Sequence, residues 1–156
     1  MAENAPNVIE MLEGIEDAVA RLYRAYAGLF PDLAAFWEHL ANDEMRHRDW
    51  VAGLRQDLQA GLVTPIPERT SPEAFGNFRA YLEAQIAEAG KRPITLFQAL
   101  STARAAEQTY FEKNLLQVFE TDSDGVRRVL EGLAEDTERH YRVINAEWEQ
   151  YRPSDK

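Results

Sequence analysis

The chain contains no cysteine among its 156 residues. Disulfides, zinc sites with thiolate ligands, iron–sulfur clusters and thiol catalysis are therefore excluded. The chain also lacks a run of about 18 apolar residues, the length that a membrane-spanning helix needs. Residues 1–6 lack the basic start and the apolar stretch of a signal peptide. We therefore expect a cytoplasmic protein with no membrane partner.

Positive charge is scarce in this sequence. Lysine and arginine total 17 against 27 aspartates and glutamates, so the formal net charge is −10. The closest basic pairs are Lys91–Arg92 and Arg127–Arg128. A general nucleic-acid-binding surface has the opposite sign or a dense basic patch. We therefore expect no nucleic-acid partner.

Proline and glycine are few, with 7 and 8 residues, and they separate long helical patterns. The length suits a single domain, and no segment shows the alternation with period two of a strand, so we predict an all-α protein. The predicted helices end near Phe30, Ala60, Gly90, Glu120 and Arg152, and the second begins at Pro31, the third after Ser71 and the fourth near Pro93. Residues 62–71 are predicted to form a loop, and residues 121–125 a turn.

Short connections predict two antiparallel helical hairpins, at about residues 8–60 and 93–152. A longer crossover, about residues 61–92, carries the extra short helix. Each long helix has an apolar stripe with spacings of three and four, as expected for the buried face of a bundle. Polar residues interrupt every stripe near its middle. The predicted stripes are Ile9, Leu12, Glu16, Val19, Tyr23, Tyr26 and Phe30; Leu33, Trp37, Leu40, Glu44, His47, Val51, Leu54 and Leu58; Leu96, Leu100, Ala103, Glu107, Tyr110 and Asn114; and Val126, Leu130, Leu133, Thr137, His140, Ile144 and Tyr151.

Buried carboxylates without partners cost several kcal/mol each, so these interruptions need compensation. A divalent cation provides it, because carboxylates and imidazoles are its ligands. Taken one at a time, Glu16 and Glu107 are better explained as exposed residues, and the histidines as hydrogen-bonded core residues. The repetition of the pattern in four helices favours a metal site formed by Glu16, Glu44, His47, Glu107 and His140.

The two hairpins repeat one motif. Residues 37–47 and 130–140 are identical at six of eleven aligned positions, with an offset of 93. The identities include Asp43 with Asp136 and His47 with His140. Glu16 and Glu107 occupy corresponding places in the preceding helices, with an offset of 91. Two such hairpins related by a pseudo-twofold axis would bring all four stripes to one central site.

A glutamate on one helix and Glu-x-x-His on the next, present twice, resembles the ligand signature of the ferritin-like di-iron carboxylate proteins. The short hairpins and the ending Asp-Glu-Met-Arg-His look most like rubrerythrin-type domains, over about residues 8–150. The resemblance implies a ferritin-like antiparallel four-helix bundle. It also implies two iron ions, with manganese or zinc as alternatives, and ferroxidase, peroxide-reducing or O₂-reducing chemistry.

Two departures from that family matter. The Cys-x-x-Cys module of rubredoxin type is absent, so electrons must come from an external donor. Thr137 stands where the resemblance requires the second Glu-x-x-His glutamate. Glu16, Glu44 and Glu107 then supply three negative charges against the four positive charges of two divalent ions. An exogenous anion could fill the gap, or a single ion could bind on the intact side.

Two acidic residues near the stripes are further candidates for metal ligands. Asp136 lies one turn before His140 and could replace the missing glutamate. Because Asp43 has the same place before His47, we favour a shared role in which each aspartate accepts a hydrogen bond from a metal-bound histidine. Glu13 is a spare candidate but fits exposed surface better. We expect Arg46 and Arg139 to make ion pairs on the helix surface and His39 to be exposed.

Aromatic residues near the stripes have simple explanations. Tyr23 and Tyr110 are close enough to hydrogen-bond a ligand glutamate or to lose an electron to an oxidant, but paired core tyrosines are the plainer interpretation. We assign Trp37 and Trp50 to packing. On the crossover helix an aromatic stripe, Phe75, Phe78 and Tyr81, packs in the core or forms the interface of a homodimer.

Two functions from different classes fit this sequence. The first is a metal-binding ferritin-like oxidoreductase with a carboxylate and histidine site. The second is a degenerate ferritin-like helical module that has lost redox activity and has a structural or regulatory role. Iron storage in a cage is a third, weaker hypothesis, because no sequence feature specifies cage contacts.

Overall fold

The computed structural model describes residues 5–109 and 114–153. These residues are mostly helical, which confirms the all-α class. The α-helices are α1 (Ala5–Leu29), α2 (Ala34–Gln59), α3 (Pro72–Lys91), α4 (Leu96–Gln108), α5 (Leu115–Val118) and α6 (Asp124–Tyr151). Pro31–Leu33 and Pro67–Arg69 form single 3₁₀ turns. No helix in the described part of the chain is both long enough and apolar enough to cross a membrane.

Side-chain caps begin three of the helices. Ser71 and Ser123 accept hydrogen bonds from the backbone N–H groups of Ala74 and Val126, at the starts of α3 and α6. Thr95 forms a reciprocal capping box with Gln98 at the start of α4. The predicted start after Ser71 is therefore confirmed, whereas the fourth predicted helix begins at Leu96 rather than near Pro93. The expectation rested on Pro93, which suits the first turn of a helix, but the helix begins after the N-cap residue Thr95.

The C-terminal end of the predicted fourth helix is a correction. Helix α4 ends at Gln108 rather than near Glu120, and Thr109 has an extended backbone. Residues 119–120 form a strand, β2 (Phe119–Glu120), which pairs in antiparallel register with β1 (Thr64–Pro65). The predicted loop over 62–71 therefore contains β1. Two-residue strands are too short to show any alternation in sequence.

Helix packing brings four stripes together. Helix α1 packs along α2, and α4 packs along α6; further contacts join α2 to α6 and α1 to α4. Helix α3, in the crossover, lies against α1. The predicted stripes are buried or half-buried at every described position except Tyr151, which is 41% exposed near the end of α6. Tyr110 lies outside the described residues.

The aromatic stripe of α3 divides between core and surface. Phe75 is buried and Phe78 packs against the core, whereas Tyr81 is exposed. The stripe therefore does not form one continuous exposed face. Gly61 follows α2 with a φ of +76°, a conformation that glycine adopts without steric cost, and it turns the chain toward β1.

Candidate metal centre

Five polar side chains from four helices meet in the middle of the apolar core. They are Glu16 from α1, Glu44 and His47 from α2, Glu107 from α4 and His140 from α6, and each is at most 3% exposed. The spacing of three and four along each helix turns these residues to the same face as their apolar neighbours. The structure therefore brings together all five residues that the sequence singled out.

Glu44 lies between the two histidines. Its Oε1 atom is 2.9 Å from Nδ1 of His140, and its Oε2 atom is 3.5 Å from Nδ1 of His47. The two imidazole rings are stacked, with centroids 5.4 Å apart. Each oxygen of this carboxylate thus faces a different histidine, an arrangement that suits a ligand shared by two metal positions.

The other two glutamates flank this centre on opposite sides. Oε2 of Glu16 is 3.4 Å from Nδ1 of His47, and Oε1 of Glu107 is 3.6 Å from Nδ1 of His140. Tyr23 donates a 2.7 Å hydrogen bond to Oε1 of Glu107. The site therefore consists of two sides, one with Glu16 and His47 and one with Glu107 and His140, which meet at Glu44.

Three buried carboxylate oxygens have no hydrogen-bond partner among the described residues. They are Oε2 of Glu16, Oε2 of Glu44 and Oε2 of Glu107, one from each glutamate. A buried acceptor without a partner costs about 1–3 kcal/mol, and more when it is charged. Divalent cations are suitable partners for such oxygens, because they bind carboxylates strongly.

The donor set fits such a cation. One ligand atom each from Glu44, His47 and His140 lies within 4.8 Å of the others, so a single ion can reach all three. Oxygen and imidazole nitrogen ligands suit iron, manganese and zinc, whereas no soft thiolate ligand is present in the chain. A buried metal-binding cluster is therefore supported by the structure, which does not identify the metal.

Each histidine is held from behind by an aspartate of the other hairpin. Nε2 of His140 is 3.0 Å from Oδ2 of Asp43, and Nε2 of His47 is 3.0 Å from Oδ2 of Asp136. An ionised carboxylate only accepts hydrogen bonds, so both Nε2 atoms carry the proton and both Nδ1 atoms face the glutamates. The predicted contact between aspartate and histidine is present, but it crosses between α2 and α6.

The crossed pairs also decide between the two roles considered for Asp136. Its Oδ2 atom faces Nε2 of His47, behind the ring, rather than the three glutamates. Asp43 is equally placed behind His140 and is fully buried. Both aspartates therefore orient histidines in this structure.

Burial and neighbouring charges set the pKa values in the site. Burial opposes protonation of His140, but the nearby carboxylates of Glu107 and Glu44 outweigh burial and raise the pKa of this imidazole. The pKa of His47 is raised against burial by Glu44 and Asp136. Burial would raise the pKa of Glu44, but both histidines lower it instead. The pKa of Glu107 is raised by burial and by the charge of Glu44.

These shifts favour opposite charges on neighbouring groups of the metal-free centre. The raised pKa values of both histidines favour their protonated forms beside Glu44, and the raised pKa of Glu107 favours its neutral form. The pKa of Tyr23 is raised by burial and by Glu107, so its hydroxyl stays a hydrogen-bond donor. A divalent cation would take the place of the imidazolium protons at the Nδ1 atoms.

Thr137 occupies the position opposite Glu44 in the repeat. Its side chain is 1% exposed, and its hydroxyl donates a 2.9 Å hydrogen bond to the carbonyl oxygen of Leu133 on its own helix. The expected fourth carboxylate is therefore replaced by a short hydroxyl that bonds to its own backbone. Only one of the two hairpins supplies a glutamate from its Glu-x-x-His position.

Several further predictions can be compared with the structure. Glu13 is partly buried and pairs with Arg55 instead of entering the site. His39 is exposed and Trp37 is a core residue, as predicted. Trp50 is 39% exposed and its ring centroid is 5.6 Å from that of His47, so it covers this histidine. This contact was not predicted from the sequence, although residues three positions apart on a helix lie on the same face.

Comparison of the chain with family models, with curated proteins and with solved structures finds no significant match. A proposal for the function therefore rests on the sequence motif and on the geometry of the site.

Proposed function

We propose that this chain is a ferritin-like metalloprotein of rubrerythrin type, whose buried site holds iron in the middle of a four-helix bundle. The observation that carries this proposal is the meeting of three glutamates and two histidines in one apolar core, where one oxygen of each glutamate has no hydrogen-bond partner among the described residues. The motif in the sequence and the position of Glu44 between the two histidines both support two metal positions.

Each position would draw its ligands from one side of the centre. Glu16 and His47 would hold one ion, Glu107 and His140 the other, and Glu44 would contribute an oxygen to each. A pair of iron ions supplies the capacity to reduce O₂ or peroxide by two electrons, or to oxidise ferrous iron. The chain has no cysteine and so no rubredoxin-type module, and we assign the electrons for repeated reduction of O₂ or peroxide to an external donor.

The protein's own residues have distinct tasks in this proposal. Asp43 and Asp136 keep the Nδ1 atoms of the histidines directed at the centre. Tyr23 holds Oε1 of Glu107 through its hydroxyl and so limits the rotation of that carboxylate. The surrounding apolar stripes, with all five ligands at most 3% exposed, exclude bulk water and strengthen electrostatic interactions inside.

Metal content tests the proposal directly. The protein is produced with iron, without contact with chelators or affinity-column metal, and metal per chain is measured by mass spectrometry. We expect about two irons per chain in the native protein. Glu44→Gln should remove most of this iron, because the amide cannot supply two anionic oxygens. Glu38→Gln, an exposed change in the same helix, is the matched control and should retain it.

Activity is measured next on the iron-loaded protein. Oxidation of ferrous iron by O₂ and consumption of peroxide should both depend on Glu44 and be unaffected at Glu38. A native protein that binds no iron, or that loses none in Glu44→Gln, would contradict the metal site. Bound iron without either activity would contradict only the redox part of the proposal.

One observation favours a second candidate, the degenerate helical module with a structural or regulatory role. Thr137 removes one carboxylate from the centre, and its hydroxyl is bound to its own helix. In that case a single ion or no ion binds, and redox activity is absent. The same measurement separates the two candidates, because the degenerate module predicts at most one metal per chain and no turnover of peroxide.

A further inference from the structure

An arginine links the two aspartates that hold the histidines. One guanidinium nitrogen of Arg139, Nη2, is 3.1 Å from Oδ2 of Asp43 and 3.1 Å from Oδ1 of Asp136. Asp43 belongs to α2, whereas Arg139 and Asp136 belong to α6. The hydrogen bonds therefore run without interruption from His140 through Asp43, Arg139 and Asp136 to His47.

We propose that Arg139 is a positioning residue that fixes both imidazoles at once, and so ties the two sides of the centre together. The proposal deepens the function given above, because it rests on His47 and His140 being the metal ligands. Arg139 does not touch the centre itself. Its effect reaches the histidines only through the two aspartates.

The geometry gives each aspartate a fixed orientation. Asp136 uses Oδ2 for His47 and Oδ1 for Arg139, so its carboxylate bridges the two groups and rotation would break one bond. Asp43 presents Oδ2 to both His140 and Arg139. Burial would raise the pKa of both aspartates, but the nearby histidines and Arg139 outweigh burial and lower the pKa of each. Both carboxylates therefore favour the charged form, which accepts hydrogen bonds.

The corresponding arginine of the other hairpin does not have this double role. Arg46 is the repeat equivalent of Arg139, and among the described residues its ion pair is with Asp43 alone. Arg46 is 56% exposed at its side chain, against 39% for Arg139. The internal repeat therefore contains a natural control, two arginines in equivalent positions of which only one spans both aspartates.

From this arrangement we expect replacement of Arg139 to change the orientation of the two histidine rings more than it changes the stability of the fold. Ion pairs of partly exposed arginines contribute little to the free energy of unfolding. Residues that orient a metal-bound histidine, in contrast, typically change metal affinity by about 10- to 100-fold when they are replaced. Arg139→Gln should therefore weaken metal binding about tenfold, while the unfolding temperature of the metal-free protein changes little.

The first experiment uses the metal-free protein with ¹⁵N-labelled histidine. The chain has only three histidines, and the exposure of His39 separates its ring signal from those of the buried pair; the signal that is lost in His47→Gln then distinguishes His47 from His140. In the native protein both buried Nε2–H protons should exchange slowly with water. Arg139→Gln should accelerate exchange at His47 and His140 together, whereas Arg46→Gln should affect His140 alone and less strongly.

The second experiment titrates the same three proteins with Co²⁺, whose visible spectrum reports the ligand geometry. We expect Arg139→Gln to lower affinity about tenfold and to alter the spectrum of both equivalents of metal. Arg46→Gln should leave the equivalent on the side of His47 unchanged. If Arg139→Gln does not fold, Arg139→Met takes its place, since its unbranched side chain can pack along the helix but donates no hydrogen bond to either aspartate.

The outcomes separate this inference from the proposed function. Native exchange rates at both histidines in the folded Arg139 variant, or equal effects of the two arginine variants on both rings, would overturn the positioning role. A native protein that binds no Co²⁺ or iron would overturn the metal site instead. Because the exchange measurement needs no metal, it decides the role of Arg139 in either case.

Discussion

At the scale of single residues, the most informative position is the one that breaks the repeat. Thr137 corresponds to Glu44, and both are buried in the same centre. A carboxylate at residue 137 would lie one turn from His140, as Glu44 does from His47. The centre would then have four negative charges, enough to neutralise two divalent cations.

Thr137→Glu is therefore expected to raise metal content and affinity. In the metal-free protein the added buried carboxylate should lower the free energy of unfolding by about 2 kcal/mol or more, because it has no cation to pair with. Addition of Fe²⁺ or Co²⁺ should reverse this loss. The measurements are metal per chain by mass spectrometry and urea unfolding with and without metal.

Thr137→Gln is the matched control for this substitution. Glutamine has a similar volume and no charge, so it should disturb packing equally but leave metal content at the native value. Equal metal content in the native, Glu and Gln proteins would show that residue 137 does not face the metal. A higher metal content in the Thr137→Glu variant alone would show that the missing negative charge of the centre belongs at this residue.

The five site residues were predictable from sequence, but their partners were not. A polar residue in an apolar stripe is buried where the stripe is buried, and the repetition of this pattern in four helices identified Glu16 and Glu107 as candidates. The pairing of Asp43 with His140 and of Asp136 with His47 depends on which helix lies across from which. No spacing within one helix contains that information, and the span of Arg139 was missed for the same reason.

At the scale of elements, the starts of the helices are more informative than their ends. Ser71 and Ser123 mark helix starts through a side-chain oxygen that accepts a backbone N–H. The end of α4 carries no such signal, because Tyr110 and Asn114 continue its stripe in the sequence. The strands β1 and β2 pair residues that are 56 and 54 positions apart in the sequence, Thr64 with Glu120 and Pro65 with Phe119, and local patterns cannot predict such a pairing.

The capping box of α4 gives a prediction at this scale. Thr95→Ala removes the oxygen that accepts from Gln98 N–H and should lower the free energy of unfolding by about 1 kcal/mol. Thr95→Ser keeps the hydroxyl and should stay near the native value. Urea unfolding measures both. Metal content should be native in each variant, since Glu107 lies about three turns away along α4; a loss in Thr95→Ala would mean that the cap also sets the position of that glutamate.

At the scale of the whole molecule, the apolar core extends well beyond the candidate metal centre, so we expect the two to contribute separately to stability. The core extends above and below the centre, with large buried residues such as Trp37, Leu54 and Leu130. The metal-free centre can balance part of its charge through raised histidine pKa values. We therefore expect the fold to form without metal, unlike that of a zinc finger.

Removal of metal should accordingly lower stability without unfolding the chain. An ion present at 100 times its dissociation constant stabilises the folded state by about 2.7 kcal/mol, so dialysis against a chelator should lower the unfolding temperature by several degrees. The far-ultraviolet circular dichroism at 25 °C should stay helical, and addition of the metal should restore the higher temperature. Glu44→Gln should unfold at the same temperature with and without chelator. A native protein with equal unfolding temperatures in both states would instead favour the degenerate helical module, because a centre that binds metal only when folded must transmit its binding energy to the fold.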